Sequence, residues 1–158
     1  MQKKYLSKEE ALKKIQKYCV YQDRCHSEVR SRLLDMGVFG DTLEEIMVLL
    51  IEDRFLDEER FARSYARGKF NMKQWGRQRI TTELKRRRIS DYCIKKALEE
   101  IDTEKYVSTI AQLAHQKFHH YRTRYDAYPA QQKTANWLVQ RGYEPELVWE
   151  HVRSLQNE

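Results

Sequence analysis

Between Arg67 and Arg88 the chain carries nine Lys or Arg: Arg67, Lys69, Lys73, Arg77, Arg79, Lys85, Arg86, Arg87 and Arg88. Glu83 is the only acid there, so the stretch is net +8 in a chain of net +6, and everything outside it is net −2. Positive charge gathered in one place is what a polyanion-binding surface requires. Ion pairs at helical spacing, Glu83 with Arg79 or Arg87, would use only a fraction of it. Arg79 and Arg86 are seven positions apart, so on a helix they lie nearly above one another and point away from Ile80 and Leu84. Trp75 sits between Lys73 and Arg77. An indole beside cations can stack on an unpaired base, although such a Trp more often packs between helices. The candidate binding residues are therefore Arg67, Lys73, Trp75, Arg77, Arg79, Lys85, Arg86, Arg87 and Arg88, for a nucleic acid or an acidic partner.

Other side chains that bear chemistry are better read as structural. Asp57, Glu58 and Glu59 form an acid cluster. A catalytic pair needs a pocket and a second group, whereas acids at a helix start complement its dipole. His115, His119 and His120 have an i, i+4 pair, but no Cys or acid at ligand spacing completes a metal set. Cys19, Cys25 and Cys93 are odd in number and lack C-x-x-C spacing, which reads as reduced thiols in a cytosolic protein. Neither a phosphate-cradling glycine loop nor a nucleophile elbow occurs. The expectation is a protein without catalysis, cofactor or metal.

The elements that carry these residues are helical. Only five Gly and two Pro occur in 158 residues, and 34 % of residues are charged, which favours long helices with short connections. The longest apolar run, at 46–51, is six residues, far below the roughly 18 of a membrane span. The N-terminal MQKKYLSKEEALKK has no apolar signal region, so a cytoplasmic location is expected. Ser7, with Glu10 three residues on, reads as a capping box for a helix with Ala11, Ile15, Tyr18 and Cys19 inward. A second helix begins near Ser27 and stops at Gly37; Asp41 or Thr42 caps a third. Asp57 caps a helix with Phe61 and Tyr65 inward, and Gly76 precedes the basic helix, whose inward pair is Ile80 and Leu84. Ser90 or Asp91 caps the helix of Ile94, Leu98 and Ile101. Asp102 caps the helix of Tyr106, Ile110 and Leu113. A looser piece is expected over 119–128. Pro129 then begins a helix that ends at Gly142, and Pro145 opens the last.

The apolar positions repeat. Val29, Leu33, Val38, Leu43, Met47 and Leu50 recur 51 residues later as Ile80, Leu84, Ile89, Ile94, Leu98 and Ile101. A further 54 residues on they are Thr134, Leu138, Tyr143, Val148, Val152 and Leu155. This spacing predicts an all-α chain of three tandem three-helix repeats, at 1–55, 56–101 and 102–158, stacked into an elongated, curved solenoid-like body.

The central stretch resembles the RecX family of RecA regulators. The family signature of an aromatic, Leu, Asp, an acid, any residue, Arg, Phe and Ala is met here by Phe55, Leu56, Asp57, Glu58, Glu59, Arg60, Phe61 and Ala62. Its second part is met by Gly76, Arg79, Ile80, Glu83 and Leu84. Where the family usually ends this helix Lys-Gly-Ile, the chain has Arg87, Arg88 and Ile89. The resemblance implies a non-catalytic, monomeric protein that binds the groove of the RecA–DNA filament and limits recombinase and coprotease activity. Two other readings fit the same basic helix: a stand-alone DNA-binding module, and a helical-repeat scaffold for an acidic protein.

Overall fold

The computed structural model describes residues 6–156, and every regular element among them is an α-helix. The first five residues, part of the stretch read above for export, and the last two lie outside it. The helices pack in threes. α1 (Lys8–Tyr21), α2 (His26–Asp35) and α3 (Gly40–Glu52) form unit 1. α4 (Glu58–Lys73), α5 (Arg77–Arg86) and α6 (Asp91–Leu98) form unit 2, and α7 (Thr103–Arg122), α8 (Ala127–Gln140) and α9 (Pro145–Val152) form unit 3.

The core follows the repeat. Of the eighteen repeat-related positions all are buried except Leu98, which is half-buried. The one polar member, Thr134, is fully buried, and its hydroxyl donates to the Ala130 carbonyl at 2.7 Å. That bond removes most of the penalty of a buried hydroxyl. Unit 1 has its own core, whereas one continuous core runs through units 2 and 3 and takes in Cys25 from unit 1. Cys19, Cys25 and Cys93 are buried, and burial raises each thiol above its ordinary pKa, so none presents a reactive thiolate.

Each unit turns after its middle helix in the same way. Gly37, Arg88 and Gly142 occupy the left-handed region at φ 82°, 60° and 100°. The next residue's N–H then reaches back to a helix carbonyl: Val38 to Leu33, Ile89 to Leu84, and Tyr143 to Leu138, at 2.9, 3.1 and 3.2 Å. These pairs are related by the same register as the core. Glycine suits the left-handed position; unit 2 places an arginine in it.

Ser7, Asp57, Ser90 and Asp102 each accept a backbone N–H of the first turn, from Glu10, Arg60, Cys93 and Lys105. Several boundaries differ from expectation. α2 starts one residue earlier, after Cys25, and α3 is preceded by Phe39 rather than capped by Asp41 or Thr42. The piece expected to be loose from His119 is helical to Arg122, and α8 begins at Ala127, with Pro129 in its first turn rather than opening it. Burial of Phe118 and a half-buried Tyr121 carry α7 one turn further than its polar composition signals. Tyr18, Tyr65 and Leu98 are half-buried rather than fully inward.

Candidate nucleic-acid interface

The basic helix α5 is held at its start by unit 3. No side chain caps it. Instead the Gly76 and Gln78 N–H groups donate to the carbonyls of Arg141 and Gly142, both at 2.9 Å. The unsatisfied donors at the start of α5 thus meet the unsatisfied acceptors at the end of α8, with the helix dipoles head to tail. The Tyr143 hydroxyl donates to the Gln74 carbonyl at 2.7 Å, and burial pushes its pKa up to about 12. Beside it, the Tyr106 hydroxyl accepts from the Arg77 N–H at 3.1 Å and donates to the Glu144 carboxylate. Burial, and then that carboxylate, raise the Tyr106 pKa well above the usual phenol range.

On the surface formed by α4 and α5, aromatic rings and cations alternate. The Arg87 guanidinium lies 4.9 Å from the centre of the Tyr65 ring. The Lys69 ammonium lies 5.4 Å from Tyr65 and 4.8 Å from Trp75. Arg79 covers Trp75 at 4.1 Å, and the Tyr65 and Trp75 rings meet edge to face at 6.4 Å. Each contact is worth on the order of 0.5–1 kcal/mol at exposed sites. Together they hold Lys69 and Arg79 as a row of charge along one face. Burial raises the Tyr65 pKa, so this phenol stays neutral over the working range.

The nine candidate residues divide by what they touch. Arg77 is a joint between units 2 and 3: it pairs with Glu144 at 2.9 Å and stacks on Tyr106 at 3.9 Å. Arg87 is a joint between units 1 and 2: it pairs with Glu83 at 3.4 Å and Glu28 at 3.9 Å, and its carbonyl accepts from Ser27. Trp75 is half-buried against the core, with Lys69 and Arg79 over its ring. Arg67 is exposed but pairs with Glu100 at 3.2 Å. Arg86 points away from the core as helix geometry requires, with 71 % of its side chain exposed, yet it pairs with Glu83 at 2.9 Å. Arg79 is exposed, and Lys73, Lys85 and Arg88 are exposed with no ion pair among the described residues. The candidate cations most open to solvent are therefore Lys73, Arg79, Lys85, Arg86 and Arg88. Tyr65 and Lys69 belong to the same face, although the candidate set read from sequence includes neither. Their i, i+4 spacing was a usable signal, but their alignment with Trp75, which lies beyond the end of α4, was not.

The acid cluster is structural. Asp57 caps α4, Glu58 accepts the Ser90 N–H at 2.8 Å, and Glu59 pairs with Arg63 at 3.7 Å. His115 and His119 pack ring edge to face at 4.4 Å, and among the described residues no three His, Cys, Asp or Glu gather as a metal site. No described helix is long and apolar enough to cross a membrane.

Residues 57–98 match the family model of the second three-helix domain of RecX, and residues 104–152 match that of the third. The regulatory protein RecX of Clostridium perfringens (strain 13 / Type A) is 28% identical over 135 residues, 85% of this chain and 63% of its own length. That of Clostridium tetani is 28% identical over 151 residues, covering 95% and 65%. That of Bacillus cytotoxicus is 26% identical over 141 residues, covering 89% and 52%. The chain thus spans about half to two thirds of the length of these relatives. The crystal structure of RecX from Lactobacillus salivarius superposes with a TM-score of 0.84 at 22% identity, over 94% of this chain and 96% of that one. A second structure, of a regulatory protein RecX, gives 0.83 at 23% identity over 93% and 73%. Since the two matched domains together make up more than half of the sequence, and the fold agrees across all three units, the chain belongs to the RecX family.

Proposed function

We propose that this chain is a non-enzymatic, cytoplasmic regulator that acts as a monomer in the groove of the RecA–DNA filament and lowers recombinase and coprotease activity. The observation that carries the reading is the surface of α4 and α5 in a RecX-family chain: Lys69, Arg79 and Arg87 on the half-buried Tyr65 and Trp75, with Lys73, Lys85, Arg86 and Arg88 exposed on or just after the same helices. Such a face suits phosphate backbone and acidic protein together. Units in series can touch several filament subunits at once, so modest contacts add up to tight binding. Occupying the groove excludes a second DNA strand or a repressor substrate without any chemistry.

The test is RecA ATPase, strand exchange and repressor cleavage on single-stranded DNA, with and without the protein. Substoichiometric protein lowers all three. If a molar excess over RecA changes none of them, the reading fails and the helical-repeat fold stands alone.

A further inference from the structure

Unit 1 as a whole is not basic, because α3 carries four acids, Asp41, Glu44, Glu45 and Glu52, and no cation. Two of unit 1's cations, Lys8 and Arg30, pair with Glu45 and Glu44 of α3 at 2.7 and 2.6 Å, and four others gather apart from α3 on α1, α2 and the turn between them. Lys14, Lys17, Arg24 and Arg32 surround Tyr18 and Tyr21 in an open hollow of about 490 Å³ that no acid lines, a size within the roughly 300–1,000 Å³ of ligand-binding clefts. The Arg24 guanidinium lies over the Tyr18 ring, 3.7 Å from its centre, and Arg32 approaches the same ring at 5.6 Å. Lys14 and Lys17 are exposed and make no ion pair among the described residues. Tyr21 is 83% exposed and carries neither a cation nor another ring among the described residues, so its face is open. Acids do approach from the far side of Tyr18, where Glu28 and Asp35 line a neighbouring hollow.

That far side is the link. Glu28 pairs with Arg24 and with Arg87, both at 3.9 Å. Arg87 in turn stacks on Tyr65, the first ring of the row on α4 and α5. The hollow on unit 1 is therefore linked by contact to the cation and aromatic row of unit 2, through one carboxylate held between two arginines.

We propose that the hollow between α1 and α2 is a second contact for a single-stranded nucleic acid, with Lys14, Lys17 and Arg32 on its phosphates and Tyr21 stacked on a base. This deepens the function proposed above, in that it rests on nucleic acid being part of what the chain binds. Charge complementarity calls for a polyanion, and an open tyrosine beside cations calls for unpaired bases, which a duplex keeps within its stack.

The probe is a fluorescein-labelled oligothymidylate, bound to the full chain without recombinase over a range of salt, with a hairpin duplex as the comparison. Lys14→Glu with Lys17→Glu lowers strand affinity about ten-fold at low salt and reduces the log–log salt slope by roughly 1.4, about 0.7 for each phosphate no longer neutralised. Tyr21→Ala lowers strand affinity about five-fold, leaves the slope unchanged and spares the duplex, as removal of one stacking platform should. Both variants are exposed changes, and unchanged helicity by circular dichroism confirms that they fold. Wild-type affinity and slope in the double variant overturn the proposal. So does an equal drop in affinity for strand and duplex in Tyr21→Ala. Absence of strand binding by the unaltered chain overturns it as well, while the recombinase reading is decided separately by RecA ATPase inhibition.

Discussion

Gly76 and Gly142 meet backbone to backbone, and neither has room for a side chain. A Cβ on Gly76 would overlap the carbonyl of Gly142 and the nitrogen of Tyr143; a Cβ on Gly142 would overlap Arg79. The two residues join the start of α5 to the end of α8, so this contact sets how the basic helix is carried by unit 3. Gly76 has φ −77°, which any residue can adopt, so its requirement is purely one of space. Gly76→Ala should therefore cost roughly 1–3 kcal/mol, the range for overpacking a well-filled site, and should weaken any function that needs α5 in place. Urea unfolding of the variant checks it; an unchanged midpoint would mean that the two units move apart at little cost.

Arg88 holds a left-handed conformation that its counterparts Gly37 and Gly142 hold as glycines. For a residue with a Cβ that conformation costs about 1–2 kcal/mol. Arg88→Gly should then raise stability by roughly 1 kcal/mol, after allowing for the greater freedom of glycine in the unfolded chain. It should also remove one exposed cation from the proposed binding face. A melting temperature equal to or below that of the unaltered chain would show that the arginine is held there without strain.

How much of this was legible follows the range of the interactions. Ile80, Leu84 and their counterparts 51 residues before and 54 after recur at fixed spacing, because core packing acts through local periodicity, and the buried set follows it. Caps such as Asp57 and Asp102 act within one turn and were equally readable. The Glu83–Arg87 pair was readable from spacing, but the roles of Arg77 and Arg87 as joints between units were not. In sequence they are two cations among nine, and only the fold brings Glu144, 67 residues away, to Arg77. The same distance hid the reason for Gly76, whose partner lies in another unit. The end of α7 was missed because Phe118 and Tyr121 bury against residues that the local pattern does not contain.

Glu100 gives a pH test of the ion pairs that occupy Arg67. It accepts from Arg63 at 2.8 Å and pairs with Arg67 at 3.2 Å. The hydrogen bonds from these two arginines hold its carboxyl below the ordinary carboxylate range. A carboxylate whose folded pKa is depressed contributes stability above its unfolded pKa, about 4.3, and loses it as pH falls through the folded value. Glu100→Gln keeps the shape without the titration. The stability advantage of the unaltered chain over this variant should be present at about pH 6 and shrink towards about pH 3. Urea unfolding at both pH values measures it, and a constant difference would mean that solvent screens the cluster completely.

The last prediction separates contact from core on one helix. Arg79 and Arg86 are exposed on α5, whereas Ile80 and Leu84 are fully buried one face away. Arg79→Glu with Arg86→Glu removes one of the two cations over Trp75 and one exposed ion pair. Contacts of that kind are worth about 1 kcal/mol or less each at the surface, so the variant should stay folded. It should nonetheless weaken filament binding and flatten its salt dependence, because two attractive charges become repulsive. Leu84→Ala should do the reverse, costing roughly 2–5 kcal/mol as a large-to-small change in a filled core and affecting binding only through unfolding. Melting temperature and filament affinity on both variants decide between them. If the charge reversal binds as well as the unaltered chain at moderate salt, α5 is a solvated face, and the partner surface belongs to unit 1 or unit 3.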